Sequence, residues 1–267
     1  MTTDASPPVV MTLAGNDPSG GAGSAADIEA IASVGCHAAP VITALTVQDT
    51  QNVKETVPLH PSLVIAQARA VLEDMTVTAI KIGLLGSVAI AEAVHTVLTD
   101  YPTIPVILDP VLTAGGGTIL ADDKLLDALQ TLLLPMTTVL TPNSQEARRL
   151  APEADTLEAC AMAILERNCE FVLITGTHEN SPQVINTLYG NHRVLESCTW
   201  ERLPGSYHGS GCTLAAAIAG LLAQGKEPLS AIRQAQEYTW QTLRAGYRVG
   251  MGQYLPNRLF WANQGFA

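Results

Sequence analysis

Six short apolar runs, each ending in glycine or a polar residue, limit what this chain can fold into. They fall at residues 9–14, 41–46, 79–83, 106–109, 138–141 and 171–175. Continuous apolar runs of this length suit strands buried on both faces. Between them, apolar residues recur at three- and four-residue spacings, which predicts helices over about 24–34, 61–75, 87–98, 125–133 and 156–166. A hairpin is expected at 184–194 around Gly190-Asn191, then a helix to about 224 and a last one from 230 to about 247. Strands alternating with helices are βαβ units, so the fold class is α/β with a mostly parallel sheet covered on both faces. No repeat, linker or low-complexity tract interrupts the pattern, and residues 1–267 read as one domain.

Ligands of such sheets sit beyond the carboxyl ends of the strands. Polar residues and glycines gather there: Gly15 to Gly23, Gln48, Gly83, Asp109, Asn143 with Glu146, and Thr175-Gly176. A formal charge of −11 with only 14 basic residues excludes a nucleic-acid binder, since no basic patch can neutralise phosphates. A phosphorylated ligand would have to be held by backbone amides, a metal or a few placed side chains. The five cysteines (36, 160, 169, 198 and 212) have no zinc spacing, and their odd number suits a reducing compartment. The first residues lack a basic leader and no long apolar run follows, so a cytoplasmic protein without a membrane partner is expected.

The stretch around His208-Gly-Ser-Gly-Cys212 leads from a Pro/Gly/Ser loop into a small-residue helix. Unpaired N–H groups and the dipole of a first helical turn favour an anion, so residues 209–212 form a candidate phosphate cradle. Cys212 is either a nucleophile or base at its lip, or a small buried filler. Gly15-Asn-Asp-Pro-Ser-Gly-Gly-Ala-Gly23 is neither a dinucleotide fingerprint nor a P-loop, and Asp27 follows on the first turns of its helix. The Gln48 side chain offers a donor and an acceptor together, which matches an amino-pyrimidine edge. Asn143-Ser-Gln-Glu146 has two readings: a capping box, or oxygen ligands aimed at Mg²⁺ on nucleotide phosphates. His208 is either an aid to a phosphate or an ordinary loop histidine.

These motifs resemble the ribokinase-like superfamily, and within it the hydroxymethylpyrimidine/phosphomethylpyrimidine kinases of thiamine biosynthesis. The resemblance is carried by residues 14–27, 41–48 and 208–214, with Leu108-Asp-Pro-Val111 and Thr141-Pro-Asn-x-x-Glu146 between them. Sugar kinases of the superfamily usually carry Asp where Cys212 stands. The resemblance implies a three-layer α/β/α sandwich that phosphorylates 4-amino-5-hydroxymethyl-2-methylpyrimidine and then its monophosphate, using ATP and Mg²⁺. It places Gln48, Gly15, Asp27, Ala22, Leu84 and Val111 around the pyrimidine. It assigns Asn143, Thr175 and Gly176 to ATP, Glu146 and Asn143 to the metal, and Gly209, Ser210, Gly211 and Cys212 to the transfer. The Cys212 thiolate would be favoured by the helix N-terminus, and a homodimer would be unsurprising. Thr175-Gly-Thr-His178 stands where many relatives have Lys-Gly-Gly-His, and Leu84 where many have Met. Pyridoxal kinase and a catalytically silent ligand sensor are the rival readings.

Overall fold

The computed structural model describes residues 6–262, and the expectation about the leader falls partly on residues 1–5, outside them. Nine strands form a single sheet in the order β3-β2-β1-β4-β5-β6-β7-β8-β9. The parallel centre comprises β2 (His37–Gln48), β1 (Val9–Asn16), β4 (Val77–Ile82), β5 (Val106–Leu108), β6 (Val139–Leu140) and β7 (Phe171–Ile174). Antiparallel strands close both sides: β3 (Val53–Pro58) on β2, and β8 (Gln183–Gly190) with β9 (Arg193–Glu201) beyond β7. This is a mostly parallel α/β sheet with helices on both faces.

The period-two pleat decides which residues reach which layer. Met11, Leu13, Ile80, Ile82, Leu108, Leu140 and Val172 face α2 (Pro61–Asp74), α3 (Val88–Asp100), α4 (Asp123–Ala128), α5 (Ser144–Leu150) and α6 (Leu157–Leu165). Their alternates Val10, Ala79, Ile107, Val139 and Leu173 face α1 (Gly23–Ser33), α7 (Ser210–Ala223) and α8 (Pro228–Arg244). Continue that second set two residues toward each carboxyl end and the apolar side chains give way to Thr12, Lys81, Asp109, Thr141 and Thr175. One face of the sheet therefore becomes polar at one end, under the start of α7.

Four departures from the expected elements have local causes. β2 starts at His37 rather than 41, because Pro40 and two alanines pair along β1 despite poor strand propensity. β3 has Lys54 and Glu55 on an exposed edge, a composition that discourages further pairing and reads as loop. The expected helix over 125–133 is regular only to Ala128; it widens to a π turn over Leu129–Leu133, then tightens around Pro135. The β8–β9 turn is centred on Asn191 and His192, both at positive φ, one residue beyond the expected place.

Candidate active site

Order along the sheet locates the crevice. From β1 the chain steps to β2 on one side and later to β4 on the other, so the topological switch lies between β1 and β4. The carboxyl ends of both strands, and the N-termini of α1 and α7, meet there.

The loop between β1 and α1 is held by Asp17. Its carboxylate accepts from Ser19 N (2.8 Å), Ser19 Oγ (2.9 Å) and Ala22 N (2.8 Å). Burial would raise the Asp17 pKa, but hydrogen bonds from His208 and Ser19 outweigh it and hold the group below the ordinary value. His208 Nε2 lies 2.8 Å from Asp17 Oδ2 and 2.8 Å from the Gln48 side-chain amide. Facing an ionised carboxylate, Nε2 carries a proton and donates it. The Gln48 amide must then present oxygen to His208 and leave its nitrogen toward Thr46 Oγ1, 3.1 Å away. One lone pair and one N–H of that amide stay free. His208 is thus a buried brace, and neither reading from sequence described it.

Gly209 N-caps α7 in the left-handed region (φ 79°), and a Cβ there would overlap the Gly21 carbonyl oxygen. Arg258 fixes that contact from the far end of the chain. Fully buried, it donates to the Gly21 carbonyl, to Thr213 Oγ1 (2.9 Å) and to Glu29 Oε2 (3.0 Å). The two helix starts are thereby bracketed together, with Ser210, Gly211 and Cys212 in the first turn of α7. A Cβ on Gly211 would stand 3.6 Å from both Asp109 oxygens, so the cradle and that carboxylate are neighbours.

Asp109 is raised to about 6: burial pushes it up, Lys81 pulls it down, and Asp27 and the Cys212 thiol add smaller opposing effects. Cys212 is half-buried and follows Gly211, the residue that neighbours the Asp109 carboxylate. Its thiol is pushed up to about 12, by desolvation first, with Lys81 opposing and Asp109 and Asp27 adding to it. The expected low-pKa thiolate is therefore corrected: around a helix start crowded by two carboxylates, the resting group is a neutral thiol.

Asp27 also differs from expectation. It is wholly buried and its carboxylate contacts Lys81 Nζ at 2.9 and 3.0 Å, so it cannot touch a pyrimidine. Removing either partner alone would strand a buried charge at a cost of about 3–5 kcal/mol. Lys81 was missed because one lysine inside an apolar run carries no sequence signal. The other expected ring contacts divide. Gly15 and Leu84 meet, a Cβ on Gly15 falling 2.9 Å from Leu84 Cδ2. Gln48 instead lines a chamber of about 440 Å³ with Ser19, Asp49, Thr50, Val249 and Met251, within the size range of ligand pockets. Val111 follows Asp109 and donates its N–H back to the Asp109 carbonyl, and Ala22 is the residue before α1.

At the β6 and β7 ends, Asn143 bridges Thr175, and Ser144 N donates to the Thr175 carbonyl (3.0 Å). Gly176 N donates to Asn186 Oδ1, and a Cβ on Gly176 would overlap the Ile185 carbonyl oxygen. The capping box of α5 is complete: Asn143 Oδ1 accepts from Gln145 N and Glu146 N (both 2.9 Å), and Glu146 Oε2 accepts from Asn143 N (2.9 Å). Both Asn143 acceptor sites are spent, which removes it from a metal shell. Glu146 keeps spare lone pairs; its other oxygen accepts from Leu112 N (3.3 Å). Burial, then the Asp109 charge, raises it to about 8. Among the described residues no three His, Cys, Asp or Glu side chains could hold a metal ion together. Nor is any helix among them long and apolar enough to cross a membrane.

Residues 17–257 match the phosphomethylpyrimidine kinase family. A hydroxymethylpyrimidine/phosphomethylpyrimidine kinase of Streptomyces coelicolor is 35% identical over 259 residues, covering 94% of each chain. A phosphomethylpyrimidine kinase structure from Clostridium difficile superposes with a TM-score of 0.77 at 29% identity, over 88% of this chain and 99% of that one. An ADP complex of Bacillus subtilis pyridoxal kinase gives 0.87 at 26% identity, over 96% and 99%. With a cysteine at the start of α7, a buried carboxylate beside it and a match running nearly end to end, this chain belongs to the phosphomethylpyrimidine kinase family.

Proposed function

We propose that this protein is an ATP-dependent kinase of 4-amino-5-hydroxymethyl-2-methylpyrimidine and of its monophosphate, a step of thiamine biosynthesis in the cytoplasm. One observation carries the reading: the open first turn of α7, which carries Cys212, stands next to Asp109, so an anion cradle and proton-accepting groups share one point. Phosphoryl transfer asks for positioning and charge stabilisation more than for covalent help. The N–H groups of residues 209–212 receive the moving phosphoryl group, and Gln48 offers its free donor and acceptor to the aminopyrimidine edge. Asn143, Thr175 and Gly176 form the backbone platform for the nucleotide, and Gly15, Leu84, Ala22 and Val111 flank the ring site. ATP supplies the phosphoryl group.

The neutral Cys212 thiol changes how the proton is handled. As the substrate hydroxyl loses its proton, sulfur takes it and passes its own proton to Asp109. One O–H bond breaks, one forms on the carboxylate, and the thiol is regenerated. Mg²⁺ arriving with the nucleotide would screen phosphate charge, with Glu146 as the one placed carboxylate and phosphate oxygens and water completing its shell. Cys212→Ala is expected to lower turnover about a hundredfold with the KM for ATP little changed; turnover within a few-fold of wild type would remove Cys212 from the reaction.

A second reading, pyridoxal phosphorylation, is favoured by the higher TM-score of the pyridoxal kinase structure. Steady-state ADP release with the pyrimidine alcohol, its monophosphate and pyridoxal, each assayed separately, decides between them. Release with pyridoxal alone would overturn the pyrimidine assignment, and binding without release would identify a sensor.

A further inference from the structure

The crevice between β1 and β4 has a charged floor. Lys81, near the end of β4, is fully buried and its ammonium touches both oxygens of Asp27 on α1, at 2.9 and 3.0 Å. A Cβ on Gly83 would lie 2.6 Å from Nζ, so the charge sits directly beneath the strand end. In register with Lys81 on β1 is Thr12, whose buried hydroxyl has no partner. An ion pair here costs the desolvation of two charges, and apolar side chains of like volume would fill the space at least as well. What sets this charge apart is what it faces. Besides Asp27, the period-two alternation puts Lys81 and Asp109 on the same face of the sheet, the face that α7 covers, and the first turn of α7, with Gly211 and Cys212, stands next to Asp109. Arg258 faces Asp27 from the C-terminal segment, and Glu146 faces Asp109 from α5.

We propose that Lys81 is a positioning residue for the transfer step, acting through Cys212: held by Asp27, it fixes a positive charge beneath the sulfur, which has thiolate character while its own proton moves to Asp109 and the hydroxyl proton arrives. This rests on the reading of Cys212 as the group that takes the hydroxyl proton. A fixed cation placed before the reaction lowers the cost of that thiolate character without reorganisation at the moment of transfer. Asp27 sets the strength of the effect, because its own charge offsets part of the ammonium's field at the sulfur. At Cys212 burial weighs most and raises the thiol; Lys81 is the charge that opposes it, and Asp109 and then Asp27 act against Lys81.

The opposed signs supply the test. In Asp27→Leu/Lys81→Met both charges go and a pair of similar volume remains; in Asp27→Asn the ammonium stays and its partner charge goes. The ligand-free proteins are treated with iodoacetamide across pH 7 to 10, and the Cys212 peptide is followed by mass spectrometry. The double variant is expected to be alkylated about tenfold more slowly than wild type at each pH, and Asp27→Asn faster. With a melting curve showing a folded protein, kcat of the double variant should fall about tenfold or more, while both KM values stay within about threefold. Alkylation rates unchanged in both variants would overturn the proposal, as would slowed alkylation with wild-type kcat. If the double variant does not fold, Asp27→Asn decides alone, and unchanged or slower alkylation there is fatal. Failure of the Cys212 reading looks different: Cys212→Ala would keep its turnover while the alkylation shifts persisted.

Discussion

Gly209 shows how much of the site depends on single residues. Its left-handed backbone and its contact with Gly21 leave no space for a side chain. Gly209→Ala is expected to cost roughly 2–4 kcal/mol of stability and most of the turnover, read by thermal melting and by ADP release. His208 makes a different prediction, because it acts on Gln48 rather than on phosphate. His208→Ala should raise the KM for the pyrimidine alcohol about tenfold while leaving the KM for ATP within twofold. Equal rises in both would mean a general loosening of the loops. These two cases bound what was legible at this scale. Gly209, Gly211, Cys212, Gln48 and Asp109 stood out because glycine, thiol and amide are unusual where strands end. Asp27 was visible, but its partner was not: Lys81 lies 54 residues further on, and only the pleat places the two together. Glu146 had two readings because capping and metal binding ask for the same oxygens at the same spacing.

At the scale of elements, α7 couples the site to the core. Its residues from Thr213 to Leu221 are all buried, and its small side chains let α1 and the sheet approach closely. Gly220 lies inside this helix, where glycine ordinarily costs about 1 kcal/mol relative to alanine. Here a Cβ would overlap Val34 Cγ2, just after α1. Gly220→Ala should therefore destabilise, and adding Val34→Ala should recover most of the loss in a denaturant titration; a stabilising single substitution would show that α1 yields. The parallel strands were legible because burial on both faces leaves apolar runs that no other element explains. β3 and the start of β2 were not, since an exposed charged edge and an alanine–proline stretch resemble loop composition. The end of α4 was misjudged because four leucines over 129–134 keep helical spacing through a widened turn that ends at Pro135.

For the whole molecule, the carboxylates beneath the site bias stability with pH. Glu146, at about 8, and Asp109, at about 6, both lie above their ordinary values. A group raised on folding contributes stability that is complete below its unfolded pKa and lost as pH rises through its folded one. The ligand-free protein should thus lose melting temperature between pH 6.5 and 8, by about 5 °C, and Glu146→Gln should flatten that slope. A melting temperature that climbs over the same interval would contradict the buried, protonated Glu146. The site therefore holds carboxyl groups whose ionised forms the resting fold disfavours, as places built for chemistry often do. Arg258 adds a constraint of another kind, in time. It is joined to Gly21 across 237 positions of sequence, so the clasp between the two helix starts cannot close until synthesis has passed residue 258. A growing chain that already owns the nine strands and eight α-helices of the described residues still has an unfinished site. The completed site thus waits on Arg258, after the strands and helices it clasps have been made.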